Sequence, residues 1–126
     1  MLPFEIQLKN GPPVYEQLLY AVRKAVWSNR LEPGEAFPSV RAISRELKVN
    51  PNTVQKAIGI LKKDGYLEVQ PGVGTVVACP SYVDPAEKAA FLDERIEQLV
   101  VRARELGVER DEVLKAINEQ WERLIS

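Results

Sequence analysis

The sequence predicts a mainly α protein with one small β-hairpin: three helices, the hairpin, and then a two-helix tail. Three observations lead there. Apolar residues recur at spacings of three and four through most of the chain, the period of an amphipathic helix. Residues 66–69 and 75–77 are β-branched or aromatic-rich and flank the turn-forming Gln70-Pro71-Gly72-Val73-Gly74, the composition of a hairpin. Residues 80–84 then break the pattern, and the charge changes sign across that break. Residues 1–79 hold ten Lys and Arg against seven Asp and Glu (+3), whereas residues 80–126 hold seven against eleven (−4).

Taken in order, residues 1–12 set Pro3, Gly11 and Pro12 around the alternating Phe4-Glu5-Ile6-Gln7-Leu8, an extended arm and a candidate edge strand. Pro13 opens a helix expected over 13–30, with Val14, Leu18, Ala21, Val22, Ala25 and Val26 as its apolar stripe. Glu32-Pro33-Gly34 is a turn. Ser39 can cap a second helix, 39–47, through its hydroxyl, with Val40, Ile43 and Leu47 on the buried side. Lys48-Val49 connects it to a third helix, 51–64, which starts on the cap-plus-proline pair Asn50-Pro51 and stops at Asp64-Gly65. Two short helices joined by a tight turn make a helix-turn-helix unit, and the hairpin behind it is then a wing. In the tail, Asp84 and Glu87 form a capping box for a helix running to about residue 106, ended by Gly107, and a last helix covers 109–125. The expected domains are therefore a winged helix-turn-helix over 1–79 and a helical tail over 80–126.

Composition narrows the chemistry. The 126 residues suit one domain with an appendage. Histidine is absent, which removes the commonest general base and metal ligand, and the single Cys79 cannot pair internally. No metal or cofactor is expected. No apolar run is long enough to span a bilayer, and the start of the chain lacks a signal-peptide pattern, so the expected address is the cytoplasm. The carboxylates Asp84, Glu87, Asp93, Glu94 and Glu97 would be the only basis for an enzyme. They fall in the first turns of a helix, where acids complement the dipole, so no enzyme is expected.

The third helix carries the functional reading. On a helical wheel Val54, Ala57, Ile58 and Leu61 share one side. Asn52, Gln55, Lys56, Gly59 and Lys63 share the other, a face of amides and cations without an acid. An ordinary solvated face mixes Glu with Lys for i,i+4 support. Asn and Gln match adenine bidentately, and Lys reaches guanine or phosphate, so this face suits the major groove of duplex DNA. Gly59 would allow close approach of a backbone, at a cost of about 1 kcal/mol in helix propensity. Arg41 and Arg45, four apart on the second helix, are candidate phosphate contacts, with pairing to Glu46 or Glu68 as the alternative. Gly72 and Gly74 permit a bare backbone at the wing tip, and Gln70 and Thr75 beside it are candidate donors to phosphate.

Residues 13–77 resemble the N-terminal domain of GntR-type bacterial regulators. The match runs through Pro13-Val14-Tyr15, Gln17-Leu18, Leu31-Glu32-Pro33-Gly34 and Phe37-Pro38-Ser39-Val40-Arg41. It continues through Leu47, Val49, Thr53-Val54, Ala57, Leu61, Gly65-Tyr66-Leu67 and Gly72-Val73-Gly74-Thr75. Asn50-Pro51-Asn52-Thr53-Val54 is similar to the small YtrA-type subfamily, whereas most of the family has arginine where this chain has Pro51. The resemblance implies DNA contact by Arg41, Asn50, Asn52, Thr53, Gln55 and Lys56, with Gly72 at the wing. It also implies a two-helix tail in place of a large ligand-binding domain.

In that tail Leu92, Ile96, Leu99, Ala103 and Leu106 form a heptad-like seam widened by Phe91 and Val100, and Leu114, Ile117, Trp121 and Leu124 continue it. A short turn at Gly107 would pack the two helices antiparallel, and a second copy would cover the remaining apolar faces. The expected molecule is a homodimeric transcription regulator, a repressor by resemblance, reading a palindromic operator in duplex DNA. The alternative is a winged-helix protein-interaction module that leaves DNA alone. An effector, if one exists, is a small molecule of unnamed chemistry, bound between tail and winged domain or at the seam near Trp121. Trp27 and Trp121 are expected as core or interface aromatics.

Overall fold

The computed structural model describes residues 1–125. Its elements are α1 (Val14–Trp27), α2 (Val40–Leu47), α3 (Pro51–Lys63), β1 (Leu67–Gln70), β2 (Gly74–Val77), α4 (Pro85–Ala90), a π-helical turn (Phe91–Arg95), α5 (Ile96–Glu105) and α6 (Arg110–Ile125). The contacts divide the chain into two compact units, Met1–Ser81 and the remainder from Tyr82 onward.

In the first unit the periodic residues meet as their spacing requires. Val22, Ile43, Val54, Ala57 and Leu61 have no exposed surface, and Leu18, Leu31 and Leu67 are buried with them. α1 and α2 both pack on α3. Each buried Leu or Ile contributes about 1.5–3 kcal/mol, so this core is enough to fix the direction of α3. Val40 and Leu47, expected on the buried side of α2, are half-buried.

Several boundaries differ from expectation. Pro13 stands before α1 with an extended ψ of 145° instead of opening it, and α1 ends at Trp27, short of residue 30. The chain reverses through Asn29, whose φ of 63° is left-handed, and the amides of Arg30 and Leu31 both donate to the Ala25 carbonyl. The arm is no edge strand. Gln17 ties it down instead: its Oε1 accepts from the Lys9 amide at 3.0 Å, and its Nε2 donates to the carbonyls of Lys9 and Pro12, each at 2.8 Å. Phe4 is buried and stacks on Phe37 with centroids 5.8 Å apart. β1 and β2 pair antiparallel, with Leu67 opposite Val77 and Gln70 opposite Gly74. An unexpected bridge adds Ala36 beside Val76, so β2 is paired on both sides. Proline and glycine at 33–38 hide this pairing from any alternation pattern.

The tail departs further. The helix expected as continuous from 85 to 106 contains a π-helical turn at Phe91–Arg95. A π turn takes one residue more than an α turn, which shifts the faces of the residues before Ile96 relative to those after it. Leu106 and Gly107, the latter at φ 71°, end α5 as expected. The antiparallel packing of the two tail helices is not found: α5 and α6 do not pack along their length. Between them lies an apolar cleft of about 540 Å³, lined by Ile96, Leu99, Ala103, Val113, Leu114 and Ile117 among others. No residue of this unit is buried among those described. A lone pair of amphipathic helices offers too little apolar area to close on itself.

Candidate nucleic-acid interface

The interface is built around the helix-turn-helix. The Ser39 hydroxyl accepts from the Ala42 amide at 3.1 Å, which starts α2 as its sequence position predicts. Lys48 takes the left-handed conformation (φ 56°, ψ 47°) and turns the chain in a single residue. The turn is locked from inside: the Ser44 hydroxyl donates to the Val49 carbonyl at 2.6 Å, and the Val49 amide returns to the Ser44 carbonyl at 3.1 Å. Asn50 Oδ1 accepts from the Asn52 amide at 2.8 Å, and Pro51 occupies the first helical position. The Asn50 side chain is therefore engaged in capping its own helix.

α3 presents two faces. Val54, Ala57, Ile58 and Leu61 are in the core, while Asn52, Gln55, Lys56, Gly59 and Lys63 are all exposed. Thr53 is half-buried on the flank. The amide and cation face is thus turned outward as a set. Lys56 has one partner that the spacing does not reveal: its ammonium lies 3.9 Å from the ring centroid of Tyr15 in α1. No rule of spacing within one helix would have found a contact between residues 41 positions apart; the Pro13-Val14-Tyr15 stretch stood out only through family resemblance.

Arg41 and Arg45 are exposed on α2 and form no ion pair among the described residues. The acids considered for them are engaged elsewhere. Glu46 meets the terminal ammonium of Met1, which lowers its pKa, and Glu68 accepts from Gln70 at 3.4 Å. In the wing, Gly72 (φ 78°) and Gly74 (φ 110°) need left-handed backbone, and the tip from Pro71 to Gly74 is exposed. Thr75 is half-buried in β2, and its carbonyl accepts from the Phe37 amide at 2.9 Å. Its backbone belongs to the sheet more than to the tip. Trp27 is half-exposed, and its Nε1 donates to the Tyr66 hydroxyl at 2.7 Å.

In the tail, the expected seam is open to solvent in the single chain. Phe91, Leu92, Ile96, Leu99, Leu114, Ile117, Trp121 and Leu124 are all exposed, Trp121 at 69%, and Ala103 is half-buried.

Against known proteins, the family model described as "Bacterial regulatory proteins, gntR family" matches residues 14–77, the stretch from α1 to the end of β2. The chain belongs to the GntR family. Within it the chain is of the small YtrA type. It is 30% identical over 91% of its length to the HTH-type transcriptional repressor YtrA of Bacillus subtilis, 89% of which is covered. It is 31% identical to the HTH-type transcriptional regulator YhcF of the same organism, over 88% of this chain and 92% of that one. A solved structure described as a transcriptional antiterminator from Listeria monocytogenes superposes with a TM-score of 0.80 at 28% identity, covering 98% of this chain and 92% of that one. The protein is a GntR-family transcription regulator, and the relatives are regulators without enzymatic description. Among the described residues no helix is long and apolar enough to cross a membrane, and no cluster of His, Cys, Asp and Glu could hold a metal.

Proposed function

We propose that this regulator works as a cytoplasmic homodimeric repressor that reads a palindromic DNA operator. In this reading residues 1–79 bind DNA and residues 80–126 hold the dimer together. The observation that carries it is the outer face of α3: Asn52, Gln55, Lys56, Gly59 and Lys63 exposed together with no acid among them. Asn52 and Gln55 read base edges, Lys56 and Lys63 add cation contacts, and Arg41 and Arg45, free of carboxylates, hold phosphates. Ser39 and Asn50 act mainly as caps that set the starts of α2 and α3. Thr53 borders the face, and Gly72 brings the wing backbone to the duplex, with Thr75 behind it.

The exposed apolar row of the tail supports the dimer. Phe91, Leu92, Ile96, Leu99 and Ala103 on one helix and Leu114, Ile117, Trp121 and Leu124 on the other need a partner surface, and a second copy supplies a self-complementary one. Two α3 helices then meet half-sites about 34 Å apart, one turn of the duplex. Repression follows by occlusion of a promoter, in keeping with the name of the Bacillus subtilis relative. A small-molecule effector belongs to this scheme only if it biases the dimer or the spacing of its two readers.

Selection from a random duplex pool, followed by sequencing, tests the proposal, run with the wild type, Gln55→Ala and Lys56→Ala. Enrichment of a two-fold symmetric site by the wild type, weakened or altered by the substitutions, is the expected result. Absence of enrichment at low salt, where phosphate contacts are strongest, would sink it and leave the protein-interaction module as the reading.

A further inference from the structure

Tyr15 sits half-buried in the first turn of α1, outside the helix-turn-helix. Its ring nonetheless carries the ammonium of Lys56, the central cation of the α3 face, at 3.9 Å from the centroid. Lys56 lies on the flank of α3 that also bears Thr53 and Ile60, both half-buried, so this is the edge where the outer face meets α1. We infer that Tyr15 is a positioning residue of the DNA interface: its ring holds Lys56 at the α1 edge of the α3 face, aimed at a phosphate bordering the groove. The inference rests on the DNA reading of α3.

The chemistry of the contact favours holding over sequestering. A carboxylate partner would neutralise Lys56 and compete with phosphate. An aromatic face attracts the ammonium through its quadrupole, leaves it the full positive charge, and offers no carboxylate oxygen to compete with phosphate for it. The neighbouring acid in sequence, Glu16, accepts from the Tyr15 hydroxyl at 3.4 Å, and Lys56 forms no ion pair among the described residues. A lysine left to swing freely must be ordered when it binds, and that ordering weakens affinity; a ring that orders it beforehand removes the loss.

The test is a double-mutant cycle on the full-length protein with a short random-sequence DNA duplex across a salt series. Lys56→Gln should flatten the slope of log affinity against log salt by about one. Tyr15→Leu, which keeps bulk and drops the ring, should weaken binding about two- to five-fold in the wild-type background. In the Lys56→Gln background it should do nothing further. Tyr15→Phe, which restores the ring, should recover the lost affinity. Independently of DNA, the ε-methylene protons of Lys56 should show a ring-current shift in the free protein that disappears in Tyr15→Leu and returns in Tyr15→Phe. If Tyr15→Leu costs the same with or without Lys56, or costs nothing while the wild type binds, the positioning role is overturned and the DNA reading stands. If the wild type binds no duplex at any salt, both are overturned. Should Tyr15→Leu unfold, Tyr15→Met and the methylene shift carry the same comparison.

Discussion

A Cβ added at Gly59 would meet no atom within 4 Å, and the residue has ordinary helical backbone, so nothing inside the protein requires glycine there. Its presence weakens α3 by about 1 kcal/mol relative to alanine. Gly59→Ala should therefore raise the melting temperature by a few degrees and, on the proposed reading, weaken operator binding; a variant that gains stability and binds unchanged would show that no backbone comes close at this point. Ser39 makes the opposite case. Its hydroxyl caps α2, so Ser39→Ala should cost about 1 kcal/mol in denaturant unfolding, while Ser39→Asp keeps most of the stability. In the arm, Arg30 hydrogen-bonds and attracts Glu5, which lowers the Glu5 pKa from 4.5. A carboxylate lowered in the folded state stabilises the fold above its unfolded pKa and loses that contribution as pH falls through the folded value. The gap in melting temperature between wild type and Glu5→Gln should be small at neutral pH, because both side chains are exposed to solvent, and should close in acid.

At the scale of elements, legibility followed the kind of signal each carries. α3 was readable almost to the residue, because a cap, a proline and a four-residue apolar stripe agree with one another, and its buried set Val54, Ala57, Ile58 and Leu61 is the set the wheel predicts. The pairing of Ala36 with Val76 was not, since it is one bridge in a turn-rich stretch. Nor was the contact between Tyr15 and Lys56, which exists only once α1 lies against α3. The π-helical turn escaped because its apolar residues fit a heptad on paper; a π turn changes which of them share a face without changing their identity. The open cleft between α5 and α6 escaped for a related reason: periodicity says which faces are apolar and leaves open what covers them. This bears on assembly. On the proposed dimer, Leu99→Glu or Ile117→Glu places a charge in a seam where each aliphatic residue buried contributes about 1.5–3 kcal/mol. Either should shift sedimentation from dimer to monomer at micromolar concentration while the melting of the winged unit is kept. A dimer that survives both substitutions would place the interface elsewhere.

The whole molecule joins a front part at +3 to a back part at −4, so its overall charge of −1 conceals a basic reader attached to an acidic tail. On the proposed reading, the acidic tail adds no attraction for the duplex, and binding rests on α3 and the wing. A dimer of such units would derive most of its affinity from engaging both half-sites at once, because each reader alone offers few phosphate contacts and the second binding event is effectively intramolecular. The spacing of half-sites then becomes the sharpest test of assembly. Insertion of about five base pairs between them turns one half-site to the opposite side of the duplex. It should reduce affinity to that of a single half-site, a loss on the order of a hundredfold. Insertion of about ten restores the facing and should recover part of the binding, to the extent that the stretch 80–84, with its proline and serine, can lengthen. Equal loss at both spacings would mean that the two readers are held at one fixed separation. Indifference to spacing would mean that each unit binds alone, and that the exposed apolar row of the tail serves something other than a second copy.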